Sequence, residues 1–261
     1  CIRDRFRASA LRGVCAKVGT MKTEQEVNNF KAEASRAIYT CKKCQGDLRI
    51  DCSCSRRFAF DCEAFEACIP RDFWHVKDED VEYNREAFEA FVLPYTKRIA
   101  TALRRGYGLL LSGPNGVGKT MFMSYVLSRA ILRGRSAYYT TMLQLDHDIK
   151  QGFRDQEAQK RLEWMLTSDF LGLDEMGKEQ LRATDQPSFI RSQIERILKH
   201  RFDESKPVIL ATNLSATALG TTYGDTILSI ITGKYQTVVM EPGDIRKLLA
   251  DRMAEDMGYE G

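Results

Sequence analysis

Residues 108–120 read Gly108-Leu-Leu-Leu-Ser112-Gly113-Pro114-Asn115-Gly116-Val117-Gly118-Lys119-Thr120, and this stretch decides the fold. A short apolar run ends in a loop that satisfies G-x-x-x-x-G-K-[ST], and residues 119–133 continue with the pattern of a helix. A strand before and a helix after are the context that a phosphate cradle requires. Glycines let successive backbone N–H groups curl round phosphate oxygens, and the helix that follows points its positive end at them. Lys119 then reaches the β- and γ-phosphates, and the Thr120 hydroxyl is placed to ligate Mg²⁺. Gly113 to Thr120, with Met121 next on the helix, are the candidate ATP-binding residues.

Working outward, such a loop needs a carboxylate partner. Asp169-Phe-Leu-Gly-Leu-Asp174-Glu175 is a mostly apolar strand ending in two acids. Asp174 suits Mg²⁺ held through water, and Glu175 suits the orientation and polarisation of an attacking water. Gly172 weakens the apolar run. A third buried strand, Val208-Ile-Leu-Ala-Thr-Asn213, ends in an amide that could sense the γ-phosphate. Around these stretches, helical and strand patterns alternate from residue 85. Helices are expected at 85–105 (interrupted near Pro94), 119–133, 142–166 and 186–203, and strands at 107–112, 136–140, 170–173 and 207–212. This alternation predicts an α/β fold, a parallel sheet flanked by helices on both faces.

The first part of the chain differs. Six of the eight cysteines lie between Cys41 and Cys68. Cys41-Lys-Lys-Cys44, a spacer of seven residues, and Cys52-Ser-Cys54 supply four thiolates able to close a tetrahedral Zn²⁺ site, and a metal would stabilise a module too small to bury a core. Cys62 and Cys68 fit core thiols on a short helix over 57–69, with Cys62 as a zinc ligand the alternative. His75, His147 and His200 are scattered and have no partner at ligand spacing. Residues 1–40 look helical. Their first 20 carry Arg3, Arg5, Arg7, Arg12 and Lys17 against Asp4, either a basic arm or a solvated helix face. The boundaries read as an N-terminal helical and zinc-knuckle domain (1–69), a linker (70–84) and an ATPase domain (85–261).

Net charge is only +3 over 261 residues, so no global field for nucleic acid exists. No apolar run approaches the roughly 18 residues of a membrane span, and the charged start Cys1-Ile-Arg-Asp-Arg-Phe-Arg7 is not a secretory leader. A soluble, intracellular protein is the expectation.

The phosphate loop, the Asp-Glu strand and the Asn-ended strand, in this order, resemble the AAA+ ATPases. Asp169 to Gly177, Arg201-Phe202, Lys206 to Ser215 and Gly243-Asp-Ile-Arg246 are similar to the DnaC/DnaI helicase loaders and the related IstB transposition ATPases. The Cys-rich segment followed by Ala67-Cys-Ile-Pro70 resembles zinc-bearing loaders of that group. The resemblance implies catalytic roles for Lys119, Asp174, Glu175, Asn213 (sensor 1) and Arg246 (sensor 2). It also implies an arginine finger after sensor 1, but that stretch reads Leu228-Ser229-Ile230-Ile231, with Lys234 as a weak substitute. Such a finger is worth roughly 10³–10⁵ in rate, so slow hydrolysis is expected.

For single-stranded DNA, which needs cations and stacking aromatics, Tyr138, Tyr139, Lys150, Phe153 and Arg154 are the candidates, against strand packing for the tyrosines and a solvated helix face for the cations. The resemblance implies a loader that self-assembles with ATP and Mg²⁺, grips a hexameric replicative helicase through residues 1–69 and places it on single-stranded DNA. The alternatives are an IstB-like transposition regulator on duplex DNA with a transposase, and a nucleotide-locked scaffold without useful turnover.

Overall fold

The computed structural model describes residues 23–39, 41–45, 47, 50–152, 155–177, 187–243 and 257. The basic arm within residues 1–20, together with Phe153, Arg154 and Arg246, lies outside the described residues.

Five strands form one parallel sheet: β1 (Gly108–Ser112), β2 (Ala137–Thr141), β3 (Phe170–Met176), β4 (Val208–Thr212) and β5 (Tyr235–Val239), in the order β2-β3-β4-β1-β5. Central β1, β3 and β4 are buried almost throughout, as strands covered on both faces must be. β5 was not among the expected strands.

Helix α1 (Glu24–Tyr39) opens with a capping box. Thr23 Oγ1 accepts from the Glu26 N–H at 3.2 Å, and Glu26 Oε2 accepts from the Thr23 N–H at 2.8 Å. α2 (Ser53–Glu66) starts within the cysteine knuckle, with Cys54 in its first turn. Residues 70–84 then fold against the core through two 3₁₀ turns, Arg71–Phe73 and Asp78–Asp80. Trp74 donates its indole N–H to the Ile69 carbonyl at 2.7 Å, and Val81 is fully buried. Helix α3 runs in three contiguous pieces: Arg85–Ala87, a π turn at Phe88–Val92, and Leu93–Lys97. Pro94 has no N–H for a carbonyl one turn back, and the wider turn sits immediately ahead of it. α4 (Ile99–Arg105) leads into β1.

The remaining helices are α5 (Lys119–Ile131), α6 (Met142–Gln151), α7 (Gln156–Thr167), α8 (Pro187–Asp203), α9 (Ala216–Tyr223) and α10 (Asp225–Lys234). Expected as one stretch, 142–166 is two helices. Asp155 caps the second by accepting from the Glu157 N–H at 2.9 Å.

Two apolar clusters occupy the two faces of the sheet. One joins α5 to Phe30, Phe60, Cys62, Ala64, Ile69 and Trp74. The other joins α6, α7, α8 and α10. α5 is apolar nearly all round, as befits a helix covered on every side. It lies close on β3 because Gly172 has no side chain. A Cβ there would meet Leu127 Cδ1 and Met123 Sδ at 2.8 Å.

Candidate functional site

The phosphate loop joins β1 to α5. Gly116 and Gly118 take φ of 83° and 95°, the left-handed region that glycine enters at little cost, and they turn the chain from strand into helix. Lys119 Nζ lies in the loop, donating to the Gly113 and Pro114 carbonyls at 2.7 and 2.6 Å. Thr120 Oγ1 donates to Asp174 Oδ2 at 2.7 Å. Two hard oxygen donors, 54 residues apart in sequence, thus meet at the mouth of the loop, a donor set that suits Mg²⁺.

Asp174 is only 3% exposed. Its Oδ1 accepts the Glu175 N–H at 2.7 Å, and its Oδ2 also accepts the Tyr139 hydroxyl at 3.0 Å. Glu175 takes φ of 60°. Between Leu173 and Met176, β3 advances three residues while β4 advances two, from Leu210 to Thr212. This bulge breaks the alternation that would send Glu175 to the face opposite Asp174. At the end of β4, Asn213 Nδ2 donates to Asn115 Oδ1 of the loop at 2.9 Å. Lys119, Thr120, Asp174 and Asn213 therefore gather round one loop, with Glu175 next to Asp174 on β3.

Two residues here, Asn84 and Asp78, escaped sequence reasoning. Asn84, itself at φ of 53°, donates to the Val117 carbonyl of the loop at 3.2 Å and accepts the Glu241 N–H at 2.7 Å. Asp78 accepts the Tyr125 hydroxyl and, at 3.1 Å, Arg129 Nη2, both on α5. An Asn and an Asp in a charged stretch carry no motif that would single them out.

The DNA candidates fare unevenly. Tyr138 is 1% exposed within the cluster of α6 and α8, and burial pushes its phenol far above the ordinary range. It is a core residue and offers no stacking face. Tyr139 points to the other side of β2, towards Asp174, and burial followed by Asp174 raises its phenol too, so it stays a neutral donor. Lys150 lies on α6, paired with Asp146 at 2.8 Å. Ile230, where an arginine was expected, is 5% exposed on the buried side of α10. Lys234, the weak substitute, is engaged within its own chain. Its Nζ donates to the Phe202 carbonyl at 3.1 Å and sits 4.2 Å from the Phe202 ring centroid.

The sulfurs of Cys41, Cys44, Cys52 and Cys54 all lie within 4.8 Å of one another. The closest approaches are 3.1 Å for Cys44–Cys54 and Cys52–Cys54, and 3.7 Å for Cys41–Cys52. Tetrahedral zinc with bonds near 2.3 Å sets sulfurs about 3.8 Å apart, so the four can hold zinc. The Cys44 backbone N–H, then the Cys54 side chain, draw Cys41 down to about 6. Hydrogen bonding with Cys44 first, and Cys52 next, pushes Cys54 up to about 12. Cys62 is not part of this cluster. It lies in the apolar core beside Phe60 and Ala64.

The profile of the family described as IstB-like ATP binding protein matches residues 79–232, more than half of the chain. The chain belongs to the IstB-like ATP-binding family. Among curated relatives, it is 27% identical to the replicative helicase loader DnaI of Bacillus subtilis (strain 168) over 112 residues, 42% of this chain and 34% of that protein. It is 26% identical to an IS5376 insertion-sequence ATP-binding protein of Geobacillus stearothermophilus over 125 residues, 48% of this chain and 47% of that one. The chain thus spans less than half the length of the curated relatives it matches.

Solved structures agree on the fold of this IstB-like member. The DnaC helicase loader superposes with a TM-score of 0.57 at 22% identity, covering 66% of this chain and all of that one. DnaI gives 0.54 at 19%, covering 67% and 93%. AMPPCP-bound DnaA from Aquifex aeolicus gives 0.52 at 18%, covering 74% and 58%. The fold is that of the AAA+ ATPases, and the cysteine cluster ahead of it is consistent with a zinc module. Among the described residues no helix is long and apolar enough to cross a membrane.

Proposed function

We propose that this protein is an ATP-driven loader that binds a replicative helicase and places it on single-stranded DNA. The observation that carries the loader reading over its rival is the four-cysteine knuckle ahead of an AAA+ core, a combination that matches the zinc-bearing loaders better than the transposition regulators. Residues 1–69 form the gripping module, with zinc held by Cys41, Cys44, Cys52 and Cys54. Residues 70–84 join it to the ATPase domain, 85–261.

In the ATPase, backbone N–H groups of Gly113 to Thr120 cradle the phosphates, and Lys119 neutralises charge on the β- and γ-oxygens. Thr120 and Asp174 would hold magnesium, which would supply charge neutralisation at the same oxygens. Glu175 orients and polarises the attacking water. Asn213 and Arg246 sense the γ-phosphate state. With Ile230 buried and Lys234 engaged at α8, the usual finger position has no arginine, so hydrolysis is slow. ATP then acts chiefly through assembly of several copies, a population shift that hydrolysis reverses.

The test is capture from a lysate of the native host with ATP and Mg²⁺, with bound proteins identified by mass spectrometry. A hexameric replicative helicase recovered by wild type, and lost with Cys41→Ser and Cys44→Ser together, establishes the reading. Those substitutions are preferable to deleting residues 1–69, which would strip Phe60, Cys62 and Ala64 from the core under α5. Recovery of a transposase, with preference for duplex over single-stranded DNA, would overturn the loader reading in favour of a transposition regulator. The family match and the Geobacillus relative give that rival its weight.

A further inference from the structure

On the face of the sheet under α5, the apolar packing carries one polar contact that the mechanism above does not use. Tyr139 stands opposite Gly172 in the β2–β3 register, and Asp174 lies two residues further along β3, opposite Thr141. Residues two apart on a strand share a face and stand roughly 6.6 Å from each other. Gly172 contributes no side chain to that face, where Leu127 and Met123 of α5 take its place, and the Tyr139 side chain reaches along β3 to Asp174. Its hydroxyl ends 3.0 Å from Asp174 Oδ2. The same oxygen accepts Thr120 Oγ1 at 2.7 Å, while Oδ1 accepts the Glu175 N–H at 2.7 Å. With donors on both oxygens, the carboxylate is fixed in plane as well as in place. Phenylalanine would fill the same volume. The hydroxyl is what remains to be explained, since burying one costs free energy unless it finds a partner.

A second bond gives the residue a further connection. The Tyr139 N–H donates to the Ala67 carbonyl at 2.8 Å. β2 is an edge strand, and here its open side is covered by the residue that ends α2. The strand position that steers Asp174 is therefore bonded to the segment that carries the cysteine knuckle.

We propose that Tyr139 is a positioning residue, whose phenol holds the Asp174 carboxylate in the orientation needed for the Thr120–Asp174 pair to take magnesium. This rests on the reading of those two residues as the magnesium pair. The test is Tyr139→Phe, which removes one oxygen and keeps the ring. Binding of a fluorescent ATP analogue is followed in EDTA and then across a magnesium titration, with unliganded melting temperature as the control for folding. The variant should bind the analogue in EDTA as wild type does, and its melting temperature should fall by no more than about 2–6 °C, the loss of one net hydrogen bond. Its magnesium midpoint should rise roughly three- to tenfold, the equilibrium equivalent of one net hydrogen bond. A midpoint unchanged from wild type would overturn the assignment, and so would an equal loss of binding in EDTA, which would make Tyr139 a core residue only. Wild-type binding that ignores magnesium would instead overturn the reading of Thr120 and Asp174, and this proposal with it.

Discussion

Arg201 should be replaceable by neither alanine nor methionine without loss, and the structure says by how much. α7 ends at Thr167 with four carbonyls that the helix cannot satisfy. The Ser168 N–H takes that of Trp164 at 3.0 Å. Arg201 Nη1 takes Met165 at 2.7 Å, and Lys206 Nζ takes Leu166 and Thr167 at 3.0 and 3.1 Å. Arg201 Nη2 also serves Asp169 and Pro207 at 3.2 and 2.9 Å. Removing the guanidinium strands the Met165 and Asp169 carbonyls, whereas Pro207 keeps the Leu171 N–H at 3.2 Å. Two stranded carbonyls cost roughly 1–3 kcal/mol each. Against this, burial pulls Arg201 down to about 10, a penalty on the charge of roughly 3 kcal/mol that the variants escape. Methionine, which fills most of the volume, should lose about 1 kcal/mol. Alanine adds a cavity worth about 2 kcal/mol, so its loss should reach about 3 kcal/mol and its Tm should fall by about 6–12 °C. Urea unfolding followed by circular dichroism and by tryptophan fluorescence, with Trp164 on α7 as the local reporter, measures both. A methionine variant as stable as wild type, or more so, would refute the capping argument.

Glu175→Gln should keep nucleotide binding and lower hydrolysis roughly 10²–10⁴-fold; turnover equal to wild type would remove Glu175 from the reaction and favour the nucleotide-locked scaffold. Cys41→Ser with Cys44→Ser should abolish bound zinc, read by elemental analysis, while the ATPase core keeps its circular dichroism; full zinc occupancy in the variant would refute the four-sulfur assignment. Burial first, and Glu66 next, push Glu63 up to about 7. The folded chain therefore keeps a proton that the unfolded chain has released, and stability falls as pH rises from about 4.5 to about 7. Glu63→Gln should erase that slope, melting above wild type at about pH 8 and like it near pH 4.5; parallel curves would sink the reading.

What the sequence revealed was what local spacing encodes. The phosphate loop, the acid pair after β3, Asn213 after β4 and the four-cysteine knuckle are short patterns whose chemistry needs those residues at those intervals. β5 was missed because Tyr235-Gln-Thr-Val-Val239 is an edge strand with Gln236, Thr237 and Val239 exposed, so it lacks the continuous apolar run of the central strands. Adjacent Tyr138 and Tyr139 looked like a stacking platform, but strand alternation sends them to opposite faces, and both faces of this sheet are covered. Ile230, where the resemblance implied an arginine, lies on the buried side of α10, a placement that no local spacing announces. The contacts of Tyr139 with Asp174, and of Asn84 with the loop, join residues 35 and 33 apart. Only the assembled sheet brings such pairs together, and neither leaves a trace in spacing.

The segment between the knuckle and the ATPase has a mechanical consequence. Trp74 and Val81 are buried, Asp78 is bonded to α5, and α2 shares a core with the helix that follows the phosphate loop. Swinging the knuckle outward on a hinge would uncover large side chains whose burial is worth roughly 1.5–3 kcal/mol each, whereas a sideways slip of a fraction of an ångström would uncover none. A pull on the knuckle would therefore reach α5 as shear, and β2 through the Ala67–Tyr139 bond. From Ser53 to Val81 the chain braces the helix behind the phosphate loop.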